Sequence, residues 1–246
     1  MTSSTPGKHG PRHALAHSDR LPVALTALTV VTGLVDAISY LGLGHVFTAN
    51  MTGNVVIIAF AAAGAPGFSL LASLVSLAAF LGGAVVAGRL ELTMRQYPRR
   101  RHRWVCICVA VEAVLLLAAA AVAFAAPHQA RYPLIVLTAV AMGIRNGTVR
   151  KLAIPDMTTT VLTLTVTGLA FDSSLAGGTN PRAARRITAV LAMLAGALSG
   201  AWLVLHHGLG LPLLISAVSA AATALVLLRI PAAECNHRNC TPHAPS

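Results

Sequence analysis

Between Thr32 and Phe60 a carboxylate, two carboxamides, a hydroxyl and a glycine interrupt apolar sequence: Asp36, then Asn50, Thr52, Gly53 and Asn54. About 110 residues later the pattern recurs as Asn146, Thr160, Thr163 and Thr165. Asn and Thr oxygens, with the backbone groups freed where a helix breaks, can replace the hydration shell of a small solute without a permanent charge. The Thr52-Gly53-Asn54 run reads as a helix start, whose free N–H groups favour an anion or a carbonyl. Together these residues form the candidate substrate-binding set. The competing reading makes them interhelical hydrogen-bonding glue or simple N-caps.

Three ionisable residues in or beside apolar runs stand out: Asp36, Glu112 and Arg145. Asp36 falls about 22 Å along a helix begun at Leu21, deep enough that its charge must be paired, hydrated or protonated. It either takes part in function or caps the broken segment that follows. Glu112 lies about 12 Å into its run from Trp104, and Arg145 about 20 Å into its own from Tyr132, which puts both at similar depth if the runs are antiparallel. They are a candidate buried ion pair; otherwise Arg145 snorkels towards Arg150 and Lys151.

Reaction chemistry finds no support. Ser173 and Ser174 have Asp172 nearby but no matched histidine within the apolar runs, and no His-Glu-x-x-His, P-loop or Gly-x-Ser-x-Gly occurs. The four cysteines pair as Cys106/Cys108 and Cys235/Cys240, neither a zinc nor a redox spacing. The expectation is a protein that is not an enzyme and carries no cofactor or metal.

The elements that must position these residues follow from composition. The chain is 56% hydrophobic and 10% charged, with mean hydropathy +0.73, and has several runs near the spanning length. That is an integral membrane protein. A net charge of +11 would suggest nucleic acid in a soluble chain, but here the arginines cluster between apolar runs and set orientation instead.

The runs are Leu21–Leu43, Val46–Gly64, Phe68–Gly88, Trp104–Ala126, Tyr132–Ile144, Ile154–Phe171, Ile187–Leu205 and Leu211–Leu228. All should be helical, because lipid offers no partner to a free backbone group. Leu21–Leu43 is longer than a signal h-region and carries Asp36, so it reads as a retained span. Arginine-rich connections place both tails, the Arg89–Arg103 loop, Arg150/Lys151 and Arg182–Arg186 in the cytoplasm. Three runs between two cytoplasmic segments break parity, and the same happens in the second half. In each half the odd run carries the polar break.

The expected fold is therefore all-α: six transmembrane helices as a 3+3 inverted repeat, with two re-entrant or broken helices meeting near the midplane. Gly33 aligns with Gly143 and Asp36 with Asn146; after a one-residue slip Thr48 aligns with Thr159, Thr52 with Thr163 and Phe60 with Phe171. Boundaries are a basic tail 1–20, a membrane domain 21–229 with repeats 21–126 and 132–229, and a tail 230–246. Gly83-x-x-x-Ala87 and Gly196-x-x-x-Gly200 occupy matching spans and should pack the halves together or join a second copy in a homo-oligomer.

Thr32-Gly33-Leu34-Val35-Asp36-Ala37, Met51-Thr52-Gly53-Asn54 and Met142-Gly143-Ile144-Arg145-Asn146 resemble the YoaK-type family of small bacterial membrane proteins of unknown function, over roughly Leu21 to Arg229. Where that family commonly shows Gly-x-Gln-Asn, this chain has Gly143-Ile144-Arg145-Asn146, and its second Thr-Gly position reads Thr163-Leu164. The resemblance implies a multi-pass protein of the bacterial inner membrane with about six spans. The family supplies no activity; the repeated polar broken helices carry the functional reading, a channel or secondary transporter for a small solute or ion. The alternative is a non-transporting scaffold or assembly subunit. Partners are the lipid bilayer and that solute, with no nucleic acid.

Overall fold

The computed structural model describes residues 20–94, 100–126, 129–152, 162–179 and 183–229. The tail ahead of Arg20, the tail after Arg229 and Thr160 lie outside the described residues. The helices are α1 (Arg20–Gly42), α2 (Met51–Ala62), α3 (Leu70–Met94), α4 (Arg100–Ala125), α5 (Arg131–Leu152), α6 (Leu162–Phe171), α7 (Ala183–His207) and α8 (Gly210–Leu228), with a 3-10 turn at Ser174–Ala176. No strand occurs among the described residues.

Six of these helices are long and apolar enough to cross a membrane. The other two, α2 and α6, have 12 and 10 residues, about 18 and 15 Å, half of a hydrocarbon core of about 30 Å. α5 runs past its apolar stretch, which ends at Ile144, and carries Arg145 and Asn146 in its last third. Helix continues there because both polar side chains find partners inside the bundle.

α1, α4, α5 and α8 form the centre: α4 packs on α8 and α5, α1 on α8, and α1 touches α5. Outside them α7 lies on α1 and α3 on α5, while α2 leans on α3 and α6 on α7. Burial follows this order. In their most apolar stretches, 72% of α1 is buried, against 28% of α3 and 22% of α7, so the flanking helices present apolar side chains such as Leu81, Val85, Leu194 and Leu198 outward. In a bilayer that face needs no cover.

Glycines set the two tight crossings. A Cβ on Gly33 would strike the Met193 carbonyl, and one on Gly196 the Val30 carbonyl. The α3–α5 crossing repeats this, with Gly143 against the Phe80 carbonyl and Gly83 against the Val140 carbonyl. Backbones this close allow no side chain between them. The small residues expected to join halves or copies are all buried within the chain: Gly83 and Ala87 at the α3–α5 crossing, Gly196 and Gly200 at the α1–α7 crossing.

The core is layered along the bundle axis. Trp104, Leu25, Leu28, Cys108 and Val109 fill one end, where Lys151 pairs with Glu91 at 3.3 Å and Trp104 Nε1 donates to the Ala87 carbonyl at 3.1 Å. Ile38, Leu43, Leu134 and Leu213 fill the other. Between them Val31, Val35, Leu116, Met142 and Ala217 surround the buried polar groups.

Candidate functional site

The site is built where the chain leaves α1. Gly44 (φ 84) and His45 (φ 58) turn it back, and Val46–Asn50 then belongs to no helix. Glycine is favoured at 44 by its φ, and the Arg131 guanidinium packs against it where a Cβ would go. His45 holds a conformation rare for a residue with a side chain. Its ring is fixed by Nδ1 at 3.3 Å from the Gly67 carbonyl and by edge contact with Tyr40.

An unwound segment among apolar helices must find partners for its peptide groups outside itself. Arg131 Nε donates to the Leu43 carbonyl at 2.8 Å. The Asn54 carboxamide takes both polar groups of Phe47: the Phe47 N–H donates to Oδ1 at 2.9 Å, and Nδ2 donates to the Phe47 carbonyl. Ser76 Oγ donates to the same carbonyl at 2.6 Å. The Ala49 N–H donates to Asp36 Oδ1 at 3.3 Å, and Asn146 Nδ2 donates to the Ala49 carbonyl at 3.5 Å. Asn50 caps α2, its Oδ1 accepting from the Gly53 N–H at 3.4 Å.

Of the expected binding set, the fold brings Asp36 and Asn146 together at Ala49. Asn54 is fully buried and spent on Phe47, and Gly53 lies beneath the Phe47 ring. Asn50 and Thr52 are exposed on the flank. Thr163 is exposed and Thr165 buried on α6, which packs on α7 and makes no comparable contact with α1 or α2; neither joins Asp36. One residue outside the expected set is the chain neighbour of Ala49, whose N–H Asp36 holds. Thr48 is fully buried beside Ala49, and its Oγ1 has no partner; Asn146 Oδ1 has none either. The alignment of Thr48 with Thr159 was the signal in the sequence that could have found it.

Arg145 does not reach for the bundle end. It is 1% exposed and pairs through Nη2 with Glu112 Oε1, itself fully buried. Its Nη1 donates to the Leu28 carbonyl at 2.8 Å and to Thr32 Oγ1 at 2.9 Å. One guanidinium thus ties α5 to α4 and α1, one layer below Asp36. A cavity of about 20 Å³ lined by Ala24, Leu28, Cys108, Arg145, Thr148 and Leu227 lies beneath it, room for about one water.

The second short helix is held differently. Arg186 Nη1 on α7 donates to the Gly168 carbonyl at 2.7 Å and to Asp172 Oδ2 at 2.6 Å, fastening the end of α6. Arg131, Ser76 and the Arg186–Asp172 pair were invisible as partners in the sequence, because each acts on a different element that only the fold brings beside it. No group of three His, Cys, Asp or Glu able to hold a metal occurs among the described residues. The arrangement offers oxygens for coordination around an interrupted backbone.

The chain is 36% identical over 154 residues to the UPF0700 transmembrane protein YoaK of Bacillus subtilis (strain 168), a match covering 61% of this chain and 66% of that protein, just under two thirds of the relative's length. No solved structure matches it. That relative is named as a transmembrane protein, and the six long apolar helices agree: this is a multi-pass integral membrane protein. With residues 24–226 matching the family model described as protein of unknown function (DUF1275), the chain belongs to that family, the one in which the Thr-Gly-Leu-Val-Asp-Ala and Met-Thr-Gly-Asn motifs had placed it.

Proposed function

We propose that this protein is a channel or secondary transporter for a small solute or ion in the bacterial inner membrane. In this reading it is built from two three-span halves of opposite orientation, each with one broken helix dipping into the bilayer. The observation that carries it is Ala49, a residue of the unwound segment whose N–H is held by Asp36 of the first half and whose carbonyl is held by Asn146 of the second. A break gripped by equivalent residues of both halves is where moving one half against the other would open or close a path.

The inverted arrangement draws support from packing. His45 and Gly67, at the two ends of the α2 segment, lie within hydrogen-bond reach, as they would if the segment leaves by the face it came from. The Gly33/Gly196 and Gly143/Gly83 crossings use aligned residues in exchanged roles. Peptide groups of 46–50 are held by side chains rather than by a helical ladder, so releasing them breaks few bonds, and this segment is the mobile candidate.

The scaffold alternative draws on the Gly-x-x-x-small faces and on the absence of a unique deep carboxylate pair; of these, the glycine faces are filled inside the chain. Purified protein in liposomes, screened for ion and metabolite flux, tests the proposal. Flux of at least one solute, lost in Asp36→Asn while folded protein remains in the membrane, is the expected result. No flux for any candidate, with a stable protein partner in pull-downs, would favour the scaffold.

A further inference from the structure

Asp36 is 7% exposed and has no cationic partner among the described residues, for Arg145 is engaged by Glu112 and Thr32. A buried carboxylate at membrane depth needs a compensating positive charge. The two other oxygens beside Ala49, Thr48 Oγ1 and Asn146 Oδ1, are buried without a partner. We propose that Asp36, Thr48 and Asn146, gathered on the Ala49 peptide groups, form a binding site for one monovalent metal cation. This inference deepens the transport reading and rests on it for its role, though not for the binding itself.

The donor set argues for the class of ligand. All three side chains present oxygen, which suits hard cations. One carboxylate neutralises one charge, so a monovalent ion leaves the site neutral, whereas a divalent ion leaves a net positive charge in a low-dielectric interior. A proton on Asp36 would also neutralise it. It would satisfy at most one of the two orphaned oxygens, where a metal ion coordinated by several oxygens at once can take up more than one of them. The Ala49 and Asn50 peptides stand outside any helix at this point, the kind of broken backbone that coordinates ions in secondary transporters.

The test is thermal unfolding of the full-length protein in lipid nanodiscs at constant ionic strength, in Na⁺, K⁺, Ca²⁺ or choline, repeated at two pH values. Stabilisation that saturates with Na⁺ or K⁺ and is absent with choline is the expected result. Thr48→Val, which removes an oxygen that has no partner in the chain, should weaken the apparent affinity by about tenfold or more. Asp36→Asn should abolish the effect, and if it does not fold, Thr48→Val decides. Equal stabilisation in all salts, a larger effect of Ca²⁺, a dependence on pH alone, or an unchanged response in Thr48→Val overturns the site. Cation binding without any flux leaves the site standing and removes the transport reading; flux indifferent to Na⁺ and K⁺, with no stabilisation, removes the site alone.

Discussion

Arg145 joins three helices through one guanidinium, and its value to the fold depends on its partner staying charged. Breaking a buried ion pair by removing one member costs about 3–5 kcal/mol, because the other charge is left uncompensated. The two halves of this pair are not equivalent. Glu112 left alone can take up a proton, whereas Arg145 left alone stays charged. Glu112→Gln should therefore lower the unfolding midpoint more than Arg145→Gln, and the double variant should recover part of the loss in a thermal-unfolding double-mutant cycle. Additive losses would mean the pair is not coupled. Asn54 supports a second expectation at this scale. Asn54→Leu strands the Phe47 N–H and leaves its carbonyl to Ser76 alone, and should cost about 2 kcal/mol or more, while Thr52→Val on the exposed flank should stay within about 0.5 kcal/mol. Equal effects would return Asn54 to the list of solute-binding candidates.

At the scale of elements, the short helices sit on flanking spans rather than facing each other across the bundle. α2 leans on α3 and α6 on α7, so the polar residues of the two broken segments do not form one shared cluster among the described residues. Two glycine crossings seat the flanking spans, α7 on α1 and α3 on α5. Gly33→Val or Gly143→Val would drive a side chain into the backbone of the facing helix, and either should destabilise by about 1–3 kcal/mol or prevent folding. Gly82 is the internal control. A Cβ there meets nothing within 4 Å, so Gly82→Ala should be neutral or stabilising by up to about 1 kcal/mol through helix propensity. Thermal unfolding or folded yield in detergent reads all three; a tolerated Gly33→Val would show the crossing to be looser than its backbone distances require.

At the scale of the whole molecule the inverted arrangement makes a prediction about sides. In a background lacking the native cysteines, Pro66→Cys should react with an impermeant thiol reagent from outside, and Leu175→Cys, fully exposed beyond α6, only from the cytoplasmic side. Labelling of both from one side would end the inverted reading. The number of long apolar helices, the two short ones and the position of the first polar break were legible in the sequence, because hydropathy, helix length and charge between runs are local properties that the bilayer selects directly. The depth match between Glu112 and Arg145 was legible too, as arithmetic along two helices. Three things were decided only by tertiary structure: that Asn54 serves Phe47 while Thr48 is left unpartnered, that the glycine faces are filled from within, and that Thr163 and Thr165 stay on the far flank. Each depends on which helices become neighbours. A polar side chain in lipid must find some partner, but residue type and spacing do not say whether that partner will be a backbone group one turn away, a helix from the other half, or a solute.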